Sequence, residues 1–376
     1  VRDLGPELEA VRAKHNVPAL CAVVVEGFDV TSAGVAGVRA NGGKALVTID
    51  DRWHLGSCTK AMTATLCATM VERGEVSWET TLGDALPDLR ERMNSRFKAV
   101  TLAQLCTNRA GVPASLDAGG LWGRLFRGRG TAVEQRRMLA EGVLTRPPAY
   151  APGTKDVYSN AGFALVGHAL ETVAGKPYEA LMQERLFTPL RMTTCGWGAP
   201  GTPGNAAPGE RVEADEPRGH GKDGKPLEPD PAHPSGAAAD NPVAISPAGR
   251  LHCTIGDWAK FVSVHLRGDA RNPRREARLL KAETFDRLHT PPDGLSGYAF
   301  GWGRAERAWG GPKGDRFVLT HAGSNTLWHC VVWVAPARDF AVLVCCNQGE
   351  RGDKATDEVA SRVIKGLDGE GPRRGE

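Results

Sequence analysis

Strand-like sequence is confined to the two ends of this chain, and that limits the fold more than any other feature. Near the start, 19–25 (ALCAVVV) and 30–38 are apolar, β-branched runs joined by a turn containing Gly27, a hairpin pattern. Near the far end, 300–306, 317–321, 328–335 and 340–347 continue in the same style. Strands need partners for their backbone groups, so these two distant sets predict one antiparallel sheet assembled from both termini. Helical spacing at 4–15 and at 354–367 (Ala355, Val359, Val363, Ile364, Leu367) places a helix at each end of the chain, packed on that sheet.

The stretch between the two strand sets is helical. Residues 58–73 carry apolar Met62, Leu66 and Met70 at i, i+4 and i+8, and stop at Gly74. The runs 102–106, 132–141, 161–173 and 178–187 follow suit. The expected fold class is therefore α+β. Residues 1–56 and 245–376 would form an antiparallel sheet flanked by N- and C-terminal helices, and 57–244 a mostly helical second domain. Within the latter, 17 of the 45 residues from 196 to 240 are Gly or Pro, which predicts a long irregular loop with little packed structure. Its His220 and His233 read as solvated side chains.

Charge excludes one large class of function. The 47 Lys and Arg nearly balance 44 Asp and Glu, and the densest basic run, 271–278, has no interleaved aromatics, so no nucleic-acid partner is expected. No apolar stretch approaches the ~20 residues of a membrane span. The chain opens on Val1, which points to a removed leader and a periplasmic or secreted protein, although nine cysteines keep a cytoplasmic location open. Those cysteines form no C-x-x-C pair and sit mostly in apolar runs, so they read as buried free thiols. There is no metal-binding motif, and no cofactor is expected.

Three short motifs carry chemistry. Ser57-Cys58-Thr59-Lys60 opens a helix, Tyr158-Ser159-Asn160 follows about a hundred residues later, and His321-Ala322-Gly323 lies on a late strand. A serine hydroxyl needs a base within hydrogen-bond reach, and on a helix residue i+3 lies beside residue i, so Lys60 can serve Ser57. A helix N-terminus adds unsatisfied N–H groups and partial positive charge. S-x-x-K alone is weak evidence, because Ser95-Arg96-Phe97-Lys98 repeats it among surface charges. His54-Leu55-Gly56 likewise repeats H-x-G, but it abuts Ser57 and cannot form a separate wall. Tyr158 also reads as a buried aromatic, and Asn160 as a helix N-cap.

In order and setting these motifs resemble the serine β-lactamase and penicillin-binding protein superfamily, on the branch of class C β-lactamases, D-alanyl-D-alanine carboxypeptidases and related esterases. The resemblance runs from about Leu4 to Leu367. It includes Trp53 to Ser57, Leu105 to Pro113, Ser246 to Leu251 and Tyr298 to Gly303, and is weakest over 196–240. It implies a cleft between sheet and helices and a serine hydrolase that works through an acyl-enzyme on an ester or amide carbonyl. The substrate would be a small molecule or short peptide: a short-chain ester, a D-Ala peptide or a β-lactam. Ser57 would be acylated, with Lys60 and Tyr158 sharing the proton traffic. The N–H groups of Ser57 and Ser324 would hold the oxyanion. Asn160 would bond Lys60 and a substrate amide, and Gly323 would let substrate approach the strand edge. A receptor or scaffold of the same fold that acylates without turnover is the alternative.

One position departs from the pattern. β-Lactamases of this branch usually carry Lys-Thr-Gly where this chain has His321-Ala322-Gly323. A histidine near its ordinary pKa of ~6.5 is mostly neutral at pH 7 and holds a substrate carboxylate less firmly than a lysine. The expectation is slow β-lactam hydrolysis beside measurable ester hydrolysis. The sequence carries no signal for oligomeric state, and no G-x-S-x-G or H-E-x-x-H motif for a different hydrolase.

Overall fold

The structure, a computed structural model, describes residues 1–203, 213–229, 239–292 and 297–369. Its centre is a seven-stranded sheet of β1 (Arg2–Asp3), β2 (Ala19–Glu26), β3 (Asp29–Gly37), β9 (Gly303–Glu306), β10 (Phe317–Ser324), β11 (His329–Ala335) and β12 (Phe340–Cys346). The spatial order is β1-β3-β2-β12-β11-β10-β9. Every pairing is antiparallel except the two-residue parallel contact of β1 with β3. The seam between the chain's two ends is the β2–β12 pair, with Cys345 opposite Cys21. Gly27 takes a positive φ of 65° at the β2–β3 turn, where a side chain would be strained.

β2 and β12 are apolar almost throughout because both of their faces are covered. On one face Leu20, Ala22, Val24, Val342 and Val344 meet Leu8, Val11, Val359 and Ile364 of the terminal helices Gly5–His15 and Gly352–Gly369. On the other, Cys21, Val23, Leu343 and Cys345 join a larger cluster that runs into the helices Thr59–Glu72, Asn160–Ala174 and Ile255–Gly268. The Thr59–Glu72 helix is buried on almost every side, which suits its run of small and apolar residues. A second, three-stranded sheet joins β4 (Arg52–His54), β8 (Leu251–Thr254) and β5 (Gly196–Trp197), with His54 opposite His252.

The Gly/Pro-rich segment corrects an expectation. Residues 213–229 are packed, and contain a hairpin of β6 (Gly219–His220) and β7 (Pro226–Leu227). His220 is wholly buried rather than solvated. Its Nδ1 contacts the Asn347 carbonyl at 2.7 Å, its Nε2 accepts from the Asn41 N–H at 3.0 Å, and burial pushes its pKa down. Gly219 is required by a close approach, since a Cβ there would lie 2.4 Å from Trp328 Nε1. His233 lies outside the described residues. All nine cysteines are free and eight are buried. No described helix is long and apolar enough to cross a membrane.

Candidate active site

The β4 strand ends at His54, and the chain turns through a short 3-10 segment, Gly56–Cys58, into the Thr59–Glu72 helix. Ser57 sits in that turn. Gly56 has φ +47°, and a Cβ on it would lie 2.4 Å from Ser324 N, so the turn presses on the end of β10. Lys60, one turn along, is fully enclosed. Its Nζ lies 3.0 Å from Ser57 Oγ, 2.7 Å from Asn160 Oδ1 and 2.7 Å from the Ala248 carbonyl. Burial holds the Lys60 pKa well below the ordinary lysine range. In the neutral amine two N–H groups satisfy Asn160 and Ala248, and the remaining lone pair faces Ser57 Oγ–H.

The Tyr158 ring lies 4.6 Å from Lys60 Nζ. Burial raises the pKa of its phenol, against the lowering effect of the nearby Ser57 hydroxyl. Because the Tyr158 side chain is 42% exposed while Lys60 is enclosed, the shift on Lys60 is the stronger constraint.

Asn160 is the first residue of the Asn160–Ala174 helix and does not cap it. Ser159 does, accepting from Gly162 N at 3.2 Å while its hydroxyl donates to the Pro113 carbonyl at 2.7 Å. That leaves the Asn160 amide free to turn toward Lys60. Asn108, held at φ 58°, receives the Ser159 N–H on its side chain and the Val157 N–H on its carbonyl, and so sets the loop that carries Tyr158.

His321 packs between Tyr158 and Tyr298, with ring centroids 6.3 and 5.8 Å away. Its Nδ1 lies 2.6 Å from the Ala322 carbonyl and its Nε2 3.2 Å from the Tyr298 hydroxyl. A carbonyl can only accept, so Nδ1 carries the proton and Nε2 accepts from Tyr298. Burial first, and the nearby Lys60 second, bring the His321 pKa down to about 4. The residue is therefore a neutral aromatic wall at pH 7. Gly323 lies two residues further along β10. A Cβ there would lie 2.0 Å from the Leu55 carbonyl and 2.9 Å from Cys330 Sγ, so the protein's own turn occupies that side of the strand. Ser324 follows at the exposed end of β10, its hydroxyl accepting from Thr326 N at 2.9 Å.

The seven predicted residues thus lie together where the Gly56–Cys58 turn, β10 and the Asn160–Ala174 helix meet. The Ser95 copy of S-x-x-K is exposed on a four-residue helix capped by Asn94. Sequence reasoning passed over the Ala248 carbonyl, Asn108 and Tyr298. A carbonyl has no sequence signature, although the segments around Ala248, Asn108 and Tyr298 are among those in which the sequence resembles the family.

Known proteins resemble this chain over most of its length. A family model described as Beta-lactamase matches residues 7–364. The chain is 27% identical over 357 residues to penicillin-binding protein 4 of Amycolatopsis lactamdurans, covering 93% of this chain and 86% of that protein. Among solved structures, the octameric penicillin-binding protein homologue from Pyrococcus abyssi superposes with a TM-score of 0.74 at 20% identity, over 98% of this chain and 78% of the other. D-alanine carboxypeptidase AmpC from Burkholderia cenocepacia gives 0.67 at 22% identity, over 95% and 97%.

Proposed function

We propose, from the premise that this chain belongs to the beta-lactamase family, that it is an acyl-serine hydrolase acting on neutral ester or amide donors, short-chain esters foremost. The observation that carries this reading is Lys60 Nζ, 3.0 Å from Ser57 Oγ with its other two partners already in place. The neutral amine takes the Ser57 proton as Oγ attacks the carbonyl carbon. The oxyanion that forms is received by the N–H groups of Ser57 and Ser324. Tyr158, kept as a phenol, passes the proton from Lys60 to the leaving oxygen or nitrogen. Water then attacks the acyl-enzyme by the same route in reverse, and releases the acid.

A serine-directed acylating agent should modify Ser57 and no other serine. Peptide mapping checks this, and an adduct on Ser95, or full activity in Ser57→Ala, would end the assignment.

The neutral state of His321 supports the preference for uncharged donors. Its pKa of about 4 lies below the ordinary value, so it is cationic only as pH falls toward 4. Between pH 5 and 8 the ratio of kcat/KM for a carboxylate-bearing substrate to that for p-nitrophenyl acetate should stay flat with respect to this group, and rise only below that window. His321→Lys should raise the ratio at pH 7. Fast nitrocefin turnover by the unmodified protein, with ester hydrolysis at background, would reverse the stated preference.

A further inference from the structure

We propose that Asp240 is a positioning residue for acyl transfer: its carboxylate ties together the two backbone segments that present the oxyanion-binding N–H groups. The inference rests on the acyl-serine reading above. Asp240 lies outside the three motifs and touches neither Ser57 nor Lys60, and its side chain is fully enclosed. On one side it meets His54 Nε2, at 3.0 Å from Oδ1 and 3.1 Å from Oδ2. On another it accepts from Asn325 Nδ2 at 3.0 Å, and Arg250 Nε supplies a third donor at 3.2 Å.

Two of these partners, His54 and Asn325, lead directly to an oxyanion donor. His54 Nδ1 accepts the Gly56 N–H at 3.1 Å, and Gly56 immediately precedes Ser57. That bond requires a lone pair on Nδ1, hence a proton on Nε2, and the Asp240 carboxylate is the acceptor that selects this tautomer. Asn325 immediately follows Ser324. Its Nδ2 also donates to the Ala239 carbonyl, and its Oδ1 accepts from Leu327 N and Trp328 N, so its side chain pins the chain leaving β10. One carboxylate therefore sets the residue before the first oxyanion N–H and the residue after the second. The two segments also touch, since the Gly56 turn lies against Ser324 N. Burial opposes a charge here, but His54 and Arg250 outweigh it and hold the Asp240 pKa below the usual carboxylate range.

Oxyanion donors work only when held 2.7–3.1 Å from the developing charge, so misplacing them costs rate rather than ground-state binding. Asp240→Asn keeps the shape but offers one acceptor to donors on both oxygens. An amide N–H facing His54 drives its proton to Nδ1, which then meets the Gly56 N–H head on. A wrong histidine tautomer produced in this way is known to be costly in a serine hydrolase.

The test is steady-state hydrolysis of p-nitrophenyl acetate, with rates normalised to acylatable sites so that unfolded protein is not counted. Asp240→Asn should lower kcat about 10–100-fold with KM within about 3-fold, and raise the inhibition constant of phenylboronic acid, a tetrahedral-adduct former, by a similar factor. His54→Ala should do the same. Asn325→Ala, which cuts the tie to β10, should lower kcat in the same way; the two single substitutions decide the matter if Asp240→Asn does not fold. A normalised kcat within about 3-fold of the unmodified protein in Asp240→Asn, or in both His54→Ala and Asn325→Ala, overturns the proposal. Ser57→Ala is the separate control. Activity retained there overturns the acyl-serine reading and this inference with it, whereas an inactive Ser57→Ala beside a fully active Asp240→Asn overturns this inference alone.

Discussion

Lys60→Ala should lower kcat for p-nitrophenyl acetate about 10³-fold while the protein still folds, within the range that a positioned general base contributes. Ser57 then loses its proton acceptor, because the Tyr158 phenol is pushed toward its protonated form and cannot replace the amine. The substitution also strands Asn160 Oδ1 and the Ala248 carbonyl without their donor, at about 1–3 kcal/mol, so a modest fall in Tm accompanies the loss of rate. Tyr158→Phe deletes only a hydroxyl from a half-exposed ring. It should cost about 10²-fold in kcat and leave Tm nearly unchanged. The pH dependence follows from the same geometry. The neutral amine is the active form, so kcat/KM in the unmodified protein rises with pH through the depressed Lys60 pKa and then levels. Intact mass after mixing with substrate separates slow acylation from slow deacylation. Near-unmodified turnover in either variant refutes the shared proton path.

Gly323→Ala should be damaging out of proportion to one methyl group. The added Cβ would lie 2.0 Å from the Leu55 carbonyl, a backbone atom two residues from Ser57, so no side-chain rotation relieves the clash. Either β10 or the nucleophile turn must shift. Overpacking of this kind costs about 1–3 kcal/mol, and here the displaced atoms also carry the proposed oxyanion donors. A fall of several degrees in Tm together with at least a 10²-fold fall in normalised kcat is the expected result. Thermal unfolding and active-site titration check the two parts separately. A variant with unchanged Tm and kcat would mean that the contact is not enforced in solution.

The sheet and terminal helices are legible in the sequence because β2, β10, β11 and β12 are long apolar runs, and the two end helices carry regular apolar spacing. Ser57, Lys60, Tyr158, Asn160 and His321 are legible because their chemistry needs particular side chains at particular separations. Features set by backbone position are not. The close approach of Gly323 to Leu55, 268 residues away in sequence, is signalled by no motif. Asn160 reads both as a cap and as a partner of Lys60, and only the structure gives the cap to Ser159 and leaves Asn160 to face Lys60. His220 reads as solvated because Gly and Pro surround it, but turn-forming residues describe the path of a chain and not whether that path is covered.

The pairing of β2 with β12 bears on the order of events during synthesis. The first strand hairpin leaves the ribosome with one edge open and must wait for roughly the last tenth of the chain to fill it. Contacts so distant in sequence make folding slow and leave an unpaired edge exposed in the meantime. The Ser57 turn is made early, but the β10 segment it presses against arrives only after residue 317. On the proposed mechanism, a nascent or C-terminally truncated chain therefore holds a nucleophile without its oxyanion site. Such a chain stays chemically silent until the last strands are in place, so acylation by a fluorescent probe would report completed molecules alone.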